Sequence, residues 1–246
     1  MKTLLEKNLL NLRRCSYPGR GLILGVDETG ENAVQVYWIM GRGENSRNRV
    51  FGLEGDRLFT EAQDPAKVED PSLIIYNAMG RARYSFVVSN GNQTDTVLES
   101  ISEIGGMPLS IALHTTRYEP DKPNFTPRIT GCSSIVDGKC YMELALLRKS
   151  NFAREGDDCI RFYYVYESIR EGIGLCLTTY MGDGNPLPPF VGEPVLMPLQ
   201  GSAEDILNTY WDALDAENRV SLAVKFIDLK TTVSKTLVRN RFVKVG

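Results

Sequence analysis

Four short polar segments carry the groups from which chemistry could be built. Between Gly41 and Phe51, the arginines Arg42, Arg47 and Arg49 fall within eight residues, directly after a strand-like run and opposed only by Glu44. A guanidinium offers a planar fork of donors that matches phosphate or carboxylate, and glycines at 41 and 43 let the backbone approach an anion. The same composition suits a solvated turn, and Gly41-x-Gly43 is too short to be a dinucleotide fingerprint. In Ile75-Tyr-Asn-Ala-Met79 a strand ends in a phenol and an amide, Tyr76 and Asn77, either facing a pocket or closing a core with the hydroxyl at the surface. The stretch Val88-Ser-Asn-Gly-Asn-Gln-Thr-Asp95 leads into a helix start whose free amides suit an oxyanion. Helix capping accounts for Thr94 or Asp95 there, but not for both Asn90 and Asn92. From Tyr118 to Arg128, three prolines stiffen a loop that crowds Glu119, Asn124, Thr126 and Arg128. Rigid presentation of polar groups is what a preorganised site needs, and Glu119 can serve as a general base.

Composition narrows the chemistry further. The chain has 246 residues and a single histidine, His114, so it cannot build a multi-histidine metal site. Its five cysteines, at 15, 132, 140, 159 and 176, form no C-x-x-C pair, and their odd number and scatter suit reduced thiols in a cytoplasmic protein. Twenty-eight basic against 31 acidic residues give a net charge of −3, which lacks the global field that nucleic acid or an anionic membrane requires. No apolar run approaches the roughly 20 residues of a membrane span. Residues 1–10 interrupt their leucines with Glu6, Lys7 and Asn8, and read as a short amphipathic helix within an N-terminal extension, 1–16.

The elements that must position these groups are mostly strands. Residues 20–26 and 33–40 flank Asp27–Asn32 as a hairpin. Further strands are expected at 73–76, 84–89, 128–135, 141–147, 160–167 and 174–180, with a terminal hairpin at 221–227 and 235–243. Helices are expected at 94–104, 107–114 and 202–214, the last opening on a capping-box-like Ser202-Ala-Glu-Asp. Residues 182–198 hold five of the twelve prolines and form a rigid irregular connection, either a plain loop or a cover for a site. Many strands joined by short turns and interrupted by a helical block argue for one α+β domain over 1–246 with largely antiparallel sheets.

Order and spacing of several motifs then make the chain resemble the archaeal-type IMP cyclohydrolase family and its bacterial relatives. The motifs are Pro18-Gly-Arg-Gly, Gly41-Arg with Ser46-Arg-Asn-Arg49, Tyr76-Asn77, residues 88–95, and Tyr118-Glu119 with Asn124 and Thr126-Pro-Arg128. They cover residues 17–135 well and the remainder thinly. The resemblance implies an Ntn-hydrolase-like fold, four αββα layers around two packed antiparallel sheets. It implies closure of 5-formamidoimidazole-4-carboxamide ribotide to inosine monophosphate with loss of water, without metal or organic cofactor. The partner would be a purine ribonucleotide, neither nucleic acid nor membrane, and a homo-oligomer is compatible with it.

On that resemblance Glu119 takes the base role, Tyr76 donates to the developing oxyanion, and Arg49 stabilises it. Arg128 would hold phosphate or carboxamide, Arg42 and Arg47 phosphate, and Asn77, Asn90, Asp95 and Asn124 the base and ribose. Two other readings stay open. Processing after Arg14 would expose Cys15 as an Ntn-type amidohydrolase nucleophile with its own amine as base. A non-catalytic relative would bind the purine nucleotide through the same arginines without closing the ring.

Overall fold

Asp27 organises the first hairpin: its carboxylate accepts the N–H groups of Glu31 and Asn32, both at 3.1 Å, and so turns β1 (Gly21–Val26) back onto β2 (Asn32–Met40). The computed structural model describes residues 1–68, 71, 74–105, 108–150 and 158–244. Ahead of the hairpin lies α1 (Lys2–Arg14). After it the chain makes a single helical turn, α2 (Glu44–Arg47), and crosses into a second sheet. That sheet comprises β3 (Val50–Glu54), β4 (Arg57–Glu61), β5 (Asn77–Ala82), β6 (Ser85–Ser89), β7 (Arg128–Val136), β8 (Lys139–Lys149) and β9 (Cys159–Tyr166). Between β6 and β7 come α3 (Gln93–Ile104) and the one-turn α4 (Leu109–Ala112). The chain returns through β10 (Ile173–Thr178) and β11 (Val195–Pro198) to α5 (Ala203–Ala213), β12 (Arg219–Asp228) and β13 (Ser234–Asn240).

The first sheet has six strands in the order β11-β10-β1-β2-β12-β13, and the second has seven in chain order; every pairing is antiparallel. Alternation decides what each face meets. Leu22, Leu24, Tyr37 and Ile39 point between the sheets, against Phe86, Ile129, Leu144 and Leu146. Ile23, Val36, Trp38 and Met40 point outward, into a layer with Leu12 of α1 and Ile206, Tyr210 and Trp211 of α5. On the far side Val87, Cys132, Ala145 and Leu147 meet Val97 and Ile101 of α3 and Leu109 of α4. Both faces of each sheet are therefore covered, which is why β1 and all of β2 after Asn32 are buried, Gln35 included. The result is the two-sheet α+β sandwich expected, helices outermost.

Local chemistry fixes the helix ends. Ser202 accepts the Asp205 N–H while the Asp205 carboxylate accepts the Ser202 N–H, a reciprocal cap for α5. Elsewhere the expectations need correcting. Strand 73–76 gives way to β5 beginning at Asn77, because Tyr76 exchanges its backbone bonds with Thr60 (N–H to Oγ1 at 3.0 Å, carbonyl from N–H at 2.9 Å) and shifts the register; Leu73 lies outside the described residues. The helix over 107–114 is only the turn α4, with Met107 outside the described residues. The hairpin β3–β4 was not anticipated, nor was β11, which emerges at the end of the proline-rich segment and pairs with β10.

Short turns close one end of the sandwich, at residues 27–31, 55–56, 83–84 and 137–138. The connection 41–49, residues 118–127 ahead of β7 and residues 180–187 gather with residues 17–20 at the other. Near the short-turn end, Lys225 of β12 clamps the sheets together: its buried ammonium donates to the Asp56 carbonyl at 2.6 Å, in the β3–β4 turn. Burial pulls this lysine down to about 8, Asp56 acting against the shift and Arg81 with it. The unfolded chain therefore holds more protons between pH 8 and the ordinary lysine value, and stability rises with pH across that window. Wild type should gain about 1–3 kcal/mol between pH 7 and pH 10 relative to Lys225→Met, in urea unfolding at each pH; a constant difference would show that another group is responsible.

Candidate active site

At the long-loop end, a cavity of about 370 Å³ opens between the sheets, within the range of small-molecule sites. Arg20 reaches it from the start of β1, Arg42 and Arg49 from either side of α2, and Glu119, Asn124 and Thr126 from the loop before β7. Tyr17, Tyr180 and Leu187 complete the wall. Each is held by bonds in its own segment. Gly19 turns with a φ of +72° and packs so closely that a Cβ would lie 2.2 Å from Thr179 Oγ1, which places Arg20 beside Thr179. The Arg20 and Thr179 backbones then bond to each other, Thr179 N–H to Arg20 carbonyl at 2.8 Å. Glu119 is anchored through its N–H to the Thr126 carbonyl at 2.9 Å. Asp121 accepts from the Thr126 N–H and hydroxyl, and Thr126 Oγ1 lies 2.6 Å from the Tyr180 hydroxyl.

Charge is unevenly distributed in this pocket. Glu119 is buried, with Arg20 Nη2 at 3.7 Å and Arg128 Nη1 at 4.0 Å. Burial disfavours the Arg20 charge, but Glu119 restores it, leaving that guanidinium above its ordinary range. Arg49 is also buried; among the described residues its Nε and Nη1 have no acceptor, and Arg20 Nε lacks one too. Burial first, then the neighbouring Arg20, pull Arg49 below the usual arginine value. Behind it, Tyr37 of β2 and Tyr76 bring their hydroxyls to 2.8 Å across the gap between the sheets. Arg20, Arg42 and Arg49 thus share the cavity wall with two carboxylates, Glu119 and Asp121, and Arg128 stands behind Glu119, a positive excess that draws in an anion.

The other sequence-predicted residues separate into two groups. Arg128 donates to Gln93 at 2.8 Å, lying so close to Gly91 that a Cβ there would stand 1.7 Å from its Nη1. Asn90 is buried and bonded to the Pro127 carbonyl, the Ile129 N–H and Gln93, bracing the chain that carries Arg128. Arg42 stacks 4.8 Å from the Tyr17 ring centroid and pairs with Asp183. Asn124 accepts the Leu187 N–H at 3.1 Å, so the proline-rich segment is tied over the cavity at two points. Of the predicted residues, Glu119, Arg42, Arg49 and Asn124 line the cavity, whereas Tyr76, Asn90, Arg128, Arg47, Asn77 and Asp95 stand outside its wall. Arg47 turns back to the Gly41 carbonyl and Asn218, and Asn77 donates to Asp95 at 2.8 Å, joining β5 to α3.

Sequence reasoning gave no role to Arg20, Tyr17, Tyr37, Tyr180 or Gln93. Arg20 and Gln93 stood inside quoted motifs, whereas Tyr37 was hidden in an apolar strand. Cys15 is placed elsewhere: it ends α1, its thiol reaches the Met181 carbonyl at 3.8 Å, and burial pushes it up, away from thiolate. Among the described residues no three His, Cys, Asp or Glu side chains come together as a metal site.

A family model described as "IMP cyclohydrolase-like protein" matches residues 17–231. That span contains every residue of the cavity and leaves α1 ahead of it. A protein of Methanothrix thermoacetophila named IMP cyclohydrolase is 28% identical over 120 residues, 48% of this chain and 58% of that protein. The chain therefore spans less than two thirds of that relative's length.

A buried cation without acceptors destabilises the empty protein. Arg49→Met should accordingly raise stability by about 1–3 kcal/mol in phosphate-free buffer. Added inorganic phosphate should stabilise wild type by mass action and the variant much less. Urea unfolding with and without phosphate reads both effects. A less stable variant, or equal stabilisation of both proteins, contradicts this account of Arg49.

Proposed function

Because the chain belongs to the IMP cyclohydrolase-like family, we propose that it closes 5-formamidoimidazole-4-carboxamide ribotide to inosine monophosphate with loss of water. The observation that carries the reading is Arg49, buried with unmet donors beside Arg20 and Glu119 in the cavity between the sheets. Such a group awaits an anion or an oxygen acquiring charge. The two-sheet sandwich also supports the Ntn-hydrolase-like architecture implied by the resemblance. A cytoplasmic setting belongs to the same reading, supported by five free thiols. Among the described residues no helix is long and apolar enough to cross a membrane.

The reaction joins two groups of one substrate, so its rate depends on freezing the formyl carbon against the carboxamide nitrogen. The stiffened loop of Glu119 and Asn124, and the segment ending in Leu187, supply such confinement. As the carboxamide nitrogen attacks, a carbon–nitrogen bond forms and its proton passes to Glu119. The formyl carbon–oxygen π pair moves onto oxygen, which meets Arg49 and takes the Tyr76 proton. In the second step the hydroxyl leaves as water with the proton held by Glu119. The former formamido nitrogen loses its proton to Tyr76 as the ring double bond forms. Both side chains are thereby restored. In this reading Arg128 holds phosphate or carboxamide and Arg42 phosphate, while Arg47, Asn77, Asn90 and Asp95 act one step removed, holding the arginine loop and the α3 start.

Absorbance of inosine monophosphate formed from the formamido ribotide tests this directly. Catalytic amounts of wild type should give multiple turnovers; Glu119→Gln and Tyr76→Phe should each lose about tenfold or more in kcat, and Arg49→Ala should be inactive. No turnover with calorimetric binding of inosine monophosphate retained would point to a binding protein. Neither activity nor binding, together with an intact mass below 27.5 kDa that begins at Cys15, would instead favour the amidohydrolase.

A further inference from the structure

We infer that Tyr37 is a positioning residue for the proposed ring closure, donating its phenolic proton to the Tyr76 oxygen and so directing the Tyr76 proton into the cavity. The inference rests on the cyclohydrolase reading for its consequence, but on hydrogen-bond accounting for its geometry. Tyr37 projects from β2 into the layer between the sheets, is fully buried, and packs against Phe51 with ring centroids 5.6 Å apart. Among the described residues its hydroxyl has one partner, the Tyr76 hydroxyl at 2.8 Å.

Each phenol owns a single proton, so the pair shares one hydrogen bond and leaves one proton over. Were Tyr76 the donor, the spare proton would belong to Tyr37, which is fully buried and has no other acceptor among the described residues. With Tyr37 as donor, the spare proton belongs to Tyr76, which is 6% exposed; both phenols feel Arg20 and Arg49, so exposure is what separates them. Only the second arrangement leaves the unmet donor on the more exposed of the two phenols, the one from which a proton can be passed toward the cavity. Burial and the adjacent Tyr76 also hold Tyr37 well above the ordinary phenol range, so it persists as a donor throughout the neutral range.

When Tyr76 yields its proton, the O–H bonding pair remains on its oxygen. The Tyr37 hydrogen bond then becomes charge-assisted and strengthens as that charge develops, an interaction larger in the transition state than in the ground state. Tyr37 therefore acts through Tyr76 alone and touches no substrate.

Turnover by wild type, Tyr37→Phe, Tyr76→Phe and the double variant tests the proposal, with thermal unfolding as a control for folding. Tyr37→Phe should lower kcat about tenfold with KM within about twofold, and should have no further effect in the Tyr76→Phe background. Multiplicative losses, or a change in KM with kcat intact, would overturn it. Absence of turnover in wild type would remove the cyclohydrolase reading instead. The pair can then be read independently by NMR of protein carrying tyrosine labelled with carbon-13 at Cζ. The Tyr76 resonance should move in Tyr37→Phe, and an unmoved resonance overturns the assignment.

Discussion

A positive charge excess, enclosed where the two sheets part, is the constraint on which the rest of the molecule turns. Arg20, Arg49 and Arg128 surround Glu119, with Asp121 the other carboxylate of the cavity wall, in a space that water only partly reaches. Left alone, those guanidinium groups would move outward into solvent. They stay because each is mounted on a segment that cannot yield: Arg20 on the start of a central strand, Arg49 between a helical turn and an edge strand, Arg128 at the head of β7. The folding free energy of the sandwich holds a site that is itself unfavourable when empty, a common relation between stability and function.

That division explains the distribution of polar bonds. Asn48 accepts the Asp64 N–H and donates to the Asp64 carbonyl, fixing the chain just ahead of Arg49. Asn90 and Gln93 do the same around Arg128, and Asp121 with Thr126 around Glu119. Residues that resemble ligands in composition are thus partly scaffolding. Arg47 and Arg49 differ by two positions, yet one bonds the backbone of its own loop and the other faces the cavity.

Such contrasts mark what can be read from sequence. The β1–β2 hairpin, β7, α3 and α5 were legible because their patterns and caps are local. The β3–β4 hairpin was not: its strands are five residues each, β3 lies at the sheet edge, and neither Val50–Glu54 nor Arg57–Glu61 alternates apolar with polar residues, so its pairing is settled by its neighbours. Glu119 and Arg49 stood out through loop chemistry. Tyr37 could not, since a phenol in the run Val34–Met40 looks like any other core side chain until Tyr76 is brought opposite it from the other sheet.

The two sheets also differ in how the chain visits them. The second is a meander whose neighbours follow one another, whereas the first takes β1 and β2 from one end of the sequence and β10 to β13 from the other. On a nascent chain the meander can close by local hairpins, while β2 keeps an open edge until β12 has been synthesised. The cavity, which needs Arg20 from β1 and Tyr180 from beyond β10, comes into being only after the whole meander has been made. Ligand binding in this cavity would therefore reward completion of the first sheet, making the supply of ligand a participant in the last stage of folding.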